Sequence, residues 1–108
     1  MANNKKVLEK KILHLISDIL LEEIENPTLT LVNIIEVELN NDNSVATVYV
    51  DASENVEEVI RQLKGAGAFI RQQLASRLDI RKVPYLEFER DTKLDKLNKI
   101  EEILEEIK

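Results

Sequence analysis

GAGAFIRQQLASRLDIRKVPYLEFER, residues 65–90, decides how this chain is read. Two glycines stand inside a helical pattern, a cluster of cations follows, and a short strand closes the segment. Glycine in a helix interior costs about 1 kcal/mol relative to alanine, so two of them so close together mark a break or kink. Upstream, the apolar row Val56, Val59, Ile60 and Leu63 has helical spacing, and it resumes beyond the break as Ile70, Leu74 and Leu78 in a second helix. Val83 to Glu89 reads as a strand with Leu86 and Phe88 toward the core. Pro84 lies at its start, where a missing N–H is tolerated.

Outward from this segment, Leu8, Ile12, Leu15, Ile16, Ile19, Leu20 and Ile24 recur at three- and four-residue steps and predict a first helix over 5–25. Asn26-Pro27 stops it, because a residue before proline avoids the α region. Strict alternation then sets Asn33, Ile35, Val37 and Leu39 against Ile34, Glu36, Glu38 and Asn40, a half-buried strand. Residues 41–44 form a polar turn, and 45–51 return as a second strand with Ala46, Val48 and Val50 on one face. Ser53 is the expected N-cap of the next helix, with Glu54, Glu57 and Glu58 suited to the positive end of its dipole. A last helix, capped by Asp91 or Thr92, is expected to bury Leu97, Ile100, Ile103, Leu104 and Ile107. The predicted order is α-β-β-α-kink-α-β-α: an α+β fold in which helices cover a three-stranded sheet. A right-handed β-α-α-β crossover makes that sheet mixed.

The 108 residues are expected to form one domain, 1–108, with a core large enough to need no staple. Cysteine is absent, which removes disulfides and thiolate chemistry. The amino terminus leads into an amphipathic helix instead of a signal peptide, and no run approaches the roughly 18 apolar residues of a membrane span. A cytoplasmic protein with no membrane partner is the expectation.

The net charge is −6, but it is unevenly spread. Residues 12–60 hold eleven carboxylates and no lysine or arginine. Residues 61–82 reverse the sign: Arg61, Lys64, Arg71, Arg77, Arg81 and Lys82 face only Asp79, a net +5. A polyanion responds to the field within a Debye length, roughly 8–10 Å at physiological salt, more than to the total charge. A two-faced molecule can therefore bind RNA with one side; the alternative is that these cations only solvate a helix face.

Three runs resemble the bacterial ribosome-binding factor A family. They are NPTLTLVNIIEVELNNDNSVATVYV (26–50), AGAFIRQQLASRLDIRKVPYLEF (66–88) and the closing pattern from Asp91 to Lys99 and Ile100. Phe69-Ile70-Arg71 with Leu78, Arg81, Pro84, Leu86 and Phe88 is the most specific set. The resemblance implies a type II KH-like domain with a C-terminal helix. It also implies a partner, the maturing small (30S) ribosomal subunit, whose 16S rRNA such proteins contact while assisting late folding and 5′-end processing, a need sharpened in the cold. Ordinary KH domains carry a Gly-x-x-Gly loop where bare backbone approaches phosphates; this family replaces it with a kink around Ala-x-Gly. The aligned residues are Ala66, Gly67 and Ala68, so the alanine is present and the glycine falls one position early.

The candidate RNA-binding residues are Lys64, Gly65, Ala66, Gly67, Ala68, Arg71, Arg77, Arg81 and Lys82, extended by Lys5, Lys6 and Lys10 on the first helix. Small side chains at 65–68 let a phosphate approach main-chain N–H groups at the start of a helix. The alternative is that Gly65 and Gly67 only allow close helix–sheet packing while Arg71 lies over Phe69. Replacing Arg71 and Arg77 by glutamate is expected to weaken binding and leave the fold intact. Tyr49 and Tyr85 are read as sheet-packing residues, and His14 as a surface or boundary residue. With no G-x-S-x-G, H-E-x-x-H or Walker pattern and one histidine, no enzyme, metal, cofactor or small-molecule substrate is expected. A monomer is expected. A competing reading makes the acidic surface the working one, engaging a protein or a sensed ligand in place of RNA.

Overall fold

The computed structural model describes residues 3–24 and 32–91. Within them lie α1 (Asn3–Glu22), β1 (Val32–Leu39), β2 (Val45–Ala52), α2 (Val56–Gly65), α3 (Gly67–Arg77) and β3 (Tyr85–Arg90). The expected stop at Asn26-Pro27 and the expected last helix, with its Asp91 or Thr92 cap, fall largely or wholly outside the described residues.

The sheet order is β1-β2-β3, with β1 antiparallel and β3 parallel to β2. This is the mixed sheet that the β-α-α-β passage predicts. Ala46, Val48 and Val50 on the central strand are fully buried, as are Ile12, Ile16 and Ile19 of α1, Leu63 of α2, and Ile70 and Leu74 of α3. One three-four spaced stripe per helix thus closes over one face of the sheet.

The β1 alternation changes phase. Ile34 pairs with Val50 and Glu36 with Tyr49, so Ile35 has no partner and forms a bulge. Beyond it Val37 and Leu39 are buried, while Ile35 is 44% exposed. Ile35 is therefore not on the core face that strict alternation assigned it; the bulge adds one residue and flips the pattern. The Nα–H of Leu39 donates to Glu9 Oε2 at 2.7 Å, which pins α1 to this edge strand.

The hairpin turn is built from its own polar side chains. Asn43 takes φ 59°, a left-handed conformation that asparagine tolerates. Asp42 accepts both the N–H and the hydroxyl of Ser44, and these bonds hold its carboxyl below the usual range. The Ser44 carbonyl then accepts the Tyr85 N–H at 2.9 Å, so the turn also fixes where β3 begins.

Two helix boundaries differ from expectation. Ser53 is not the N-cap of α2: Asn55 is, at φ 52° and ψ 48°, without a side-chain capping bond. The helix thus starts later, and Glu58 of its first turn binds Arg61 and Gln62, which hold the Glu58 carboxyl down at about 2. Helix α1 ends at Glu22, ahead of the predicted Glu25. Carboxylates at a helix C-terminus oppose its dipole, and here the Arg77 guanidinium reaches Glu22 and Glu23, each at 3.4 Å.

Between α2 and α3, Ala66 bends the chain at φ −92° and ψ 2°. No glycine has a positive φ. Among the described residues, a Cβ at Gly65 would meet nothing within 4 Å, and one at Gly67 would make only ordinary contact, 3.9 Å from Phe88 Cε2. Close helix–sheet packing therefore does not account for Gly65. Since neither strain nor a clash requires it, Gly65→Ala is expected to raise stability by up to about 1 kcal/mol in urea denaturation. A loss of stability would mean that the kink needs glycine's conformational freedom.

Candidate nucleic-acid interface

Lys64, Gly67, Ala68, Arg71, Gln72 and Ala75 follow one another at three- and four-residue steps, so they share one helical stripe that runs through the kink. The opposite stripe is the buried one of Leu63, Ile70 and Leu74. Facing the outer stripe, the connection between α3 and β3 is anchored by Leu78, which is 6% exposed, and by buried Pro84. Arg81 and Lys82 between these anchors are left exposed. The two walls enclose an open groove of about 730 Å³, floored toward β3 by Val83, Tyr85 and Leu86.

Of the described residues, four cations and no carboxylate line this groove. Among the described residues no ion pair engages Lys64, Arg81 or Lys82. The described residues thus leave these charges unpaired and form a concave surface of single sign in an acidic protein. Gly67 and Ala68 put almost no side-chain bulk on the same wall, so a ligand can come close to the backbone there.

Arg71 has a second role. Its Nε donates to the Pro84 carbonyl at 3.2 Å and its Nη2 to the Val83 carbonyl at 2.9 Å. Its guanidinium carbon lies 4.1 Å from the centroid of the Tyr85 ring. The side chain therefore packs on Tyr85 and not on Phe69, and it ties α3 to the start of β3.

The structure gathers six of the predicted residues, Lys64, Gly67, Ala68, Arg71, Arg81 and Lys82, in the groove, with exposed Gly65 and the bend residue Ala66 beside it. It does not bring the others there. Arg77 is turned toward Glu22 and Glu23; Arg61, which belongs to the cation cluster but not to the candidate binding residues, is paired with Glu58. Lys6 and Lys10 line a shallow depression with Glu9 and Glu36, by β1 at the other edge of the sheet from β3, and Lys5 lines neither. Because Arg71 and Arg77 both make contacts that hold elements together, replacing them by glutamate would disturb the fold, against the expectation above.

Sequence reasoning missed Gln72, Ala75 and above all Tyr85, which is 61% exposed on the groove floor. The signal was available: in β3, Leu86 and Phe88 face the core, so Tyr85 must face outward. Tyr49 instead donates its hydroxyl to Glu38 at 3.2 Å; burial and the surrounding Glu38, Glu89 and Glu36 carboxylates raise its pKa. The bend at Ala66 needs no left-handed residue, so alanine at position 68 sits within α3 without strain. His14 is exposed.

The family model for ribosome-binding factor A matches residues 4–104. The chain belongs to the ribosome-binding factor A family. Ribosome-binding factor A of Mycoplasmopsis pulmonis is 41% identical over 100 residues, which cover 93% of this chain and 89% of the relative. The crystal structure of ribosome-binding factor A from Thermus thermophilus superimposes with a TM-score of 0.76 at 32% identity, over 81% of this chain and 94% of that one. A homology model of the Thermus thermophilus factor, fitted into the cryo-electron-microscopy map of its complex with the 30S subunit, superimposes with a TM-score of 0.68 at 32% identity, over 79% and 92%. The α+β KH-like architecture follows from these neighbours and from the topology together.

Arg71→Lys keeps the charge but loses the planar fork that spans two carbonyls. Since a hydrogen bond from a charged group contributes about 1.5–3 kcal/mol, this substitution is expected to lower stability by about 1–3 kcal/mol in urea denaturation. Unchanged stability would show that the fork does not hold the groove.

Proposed function

We propose that this protein is a non-enzymatic assembly factor of the small ribosomal subunit, which binds 16S rRNA in the groove between the α2–α3 stripe and the start of β3. The observation that carries the reading is the concentration of four cations on a concave, carboxylate-free wall beside Gly67 and Ala68. Family membership and the 30S complex of the Thermus thermophilus relative support the choice of partner.

The mechanism is differential binding. A ligand shifts a conformational equilibrium only as far as it prefers one state. The groove grips an rRNA conformation of the immature subunit, so its occupancy favours late folding and the 5′-end processing that depends on it, a need greatest in the cold. The protein acts as a cytoplasmic monomer and is released when maturation removes the site. Among the described residues no helix is long and apolar enough to cross a membrane.

The acidic remainder gives direction to this binding. Glu38, Thr47 and Glu87 lie in register across the three strands, as do Glu36, Tyr49 and Glu89. These outward-facing carboxylates repel phosphates and leave the groove side as the approach of lowest energy. They are also the surface that the competing, protein-binding reading would use.

Lys64, Arg81 and Lys82 hold no element together, which makes them the clean test. Replacing all three by glutamate is expected to abolish cosedimentation with immature small subunits and to reduce the slope of log K against log salt by about 2, since each lost phosphate contact removes about 0.7–0.9. The melting temperature should stay close to that of the unaltered protein. Undiminished cosedimentation, or binding that survives RNase treatment, would favour the acidic surface and a protein partner.

A further inference from the structure

We infer that Tyr85 is a stacking platform for one unpaired base, so that the groove selects RNA with an unstacked nucleotide over continuous duplex. The inference rests on the RNA-binding reading of the groove and narrows its ligand.

Three observations lead to it. Tyr85 is 61% exposed although it opens a strand whose neighbours Pro84 and Phe88 are buried. Its position is fixed rather than mobile: its N–H donates to the Ser44 carbonyl, and the Arg71 guanidinium lies against the ring at 4.1 Å. A ring braced by a cation and still 61% exposed in the groove is prepared for a second π partner. The surroundings suit a nucleotide. Lys64, Arg81 and Lys82 stand in the same groove for the flanking phosphates, and the Gln72 amide, also lining it, carries both a donor and an acceptor for a base edge.

Charge limits the platform to a single base. Tyr85 is followed on the same strand face by Glu87 and Glu89, which pair in register with Thr47 and Tyr49. A phosphate backbone continuing along β3 would run onto these carboxylates, so the chain must turn back toward Arg81 and Lys82. Such a path fits a bulged or looped nucleotide, whereas a continuous duplex gains only the phosphate contacts, because its stacked bases present no free face.

The sequence supplies its own reporter, because the chain has no tryptophan and only two tyrosines. In Tyr49→Phe, Tyr85 is the one remaining tyrosine fluorophore. The probes are a single-stranded uridine-rich oligoribonucleotide and a blunt RNA duplex. The single strand is expected to quench Tyr85 emission. Stacking of a base is worth about 1–3 kcal/mol by alanine substitution, and 1.4 kcal/mol is tenfold in affinity. Tyr85→Leu should therefore bind the single strand about five- to a hundredfold more weakly and the duplex within about twofold of the unaltered protein. Tyr85→Phe retains the ring and should keep single-strand affinity, while the duplex probe separates stacking from loss of the Arg71 contact, since a groove loosened by that loss would bind both probes more weakly. Lys82→Glu should weaken both probes. Equal single-strand affinity in Tyr85→Leu, with Lys82→Glu still impaired, would overturn the stacking site and leave the groove reading standing. Unimpaired binding by Lys82→Glu would overturn both.

Discussion

The guanidinium of Arg71 spans the gap between α3 and the strand that follows it, donating to two consecutive carbonyls and lying against the ring of the next residue. Everything proposed for the groove depends on that span. The helical wall and the loop wall belong to segments with few covalent links between them, and a groove has a definite width only if something fixes their separation. A lysine cannot do this, since one ammonium has no planar fork to match two carbonyls. The buried stripe beneath, Leu63, Ile70 and Leu74, holds the helices down on the sheet, but it does not set how far the Arg81–Lys82 loop stands from them.

A division of labour among the cations follows. Arg71 is half-buried and engaged within the fold, Arg77 offsets the acidic end of α1, and Arg61 pairs within its own helix. Lys64, Arg81 and Lys82 have no such duties. Charge density in the sequence therefore overstates the binding surface: three of the six positive residues of 61–82 are engaged within the fold, each in a different way, and only their placement separates them from the other three. The glycines sort differently. Among the described residues neither meets a steric or dihedral demand. On the proposed reading, Gly67 leaves the backbone of the groove wall open to a close ligand.

Much of this was legible in advance, for identifiable reasons. The three-four spacing of Ile12, Ile16 and Ile19 and the alternation of Ala46, Val48 and Val50 are local signals that packing simply uses. The kink was visible because Gly65 and Gly67 contradict the helical pattern around them. The bulge at Ile35 was not: an extra residue in one strand is defined only against its partner, and Ile35 itself continues a perfect alternation. The N-cap at Asn55 was obscured because serine is also a favoured capping residue and stands two places earlier. The exposure of Tyr85 was legible in the alternation with Leu86 and Phe88, but tyrosine suits sheet packing equally well, so its residue type did not signal it. Arg77 was misplaced because its partners, Glu22 and Glu23, lie more than fifty residues away in sequence.

The central claim is that one groove, and not the broader charged surface, meets the RNA. Backbone amide chemical shifts of the full chain, followed by NMR during titration with a fragment of small-subunit rRNA, test it most directly. The account predicts perturbations confined to Lys64–Ala75 and Arg81–Leu86, with α1, the β1 strand and the acidic sheet face unchanged. Perturbations centred on Glu36, Glu38 and Tyr49, or spread along Lys6 and Lys10 of α1, would contradict it.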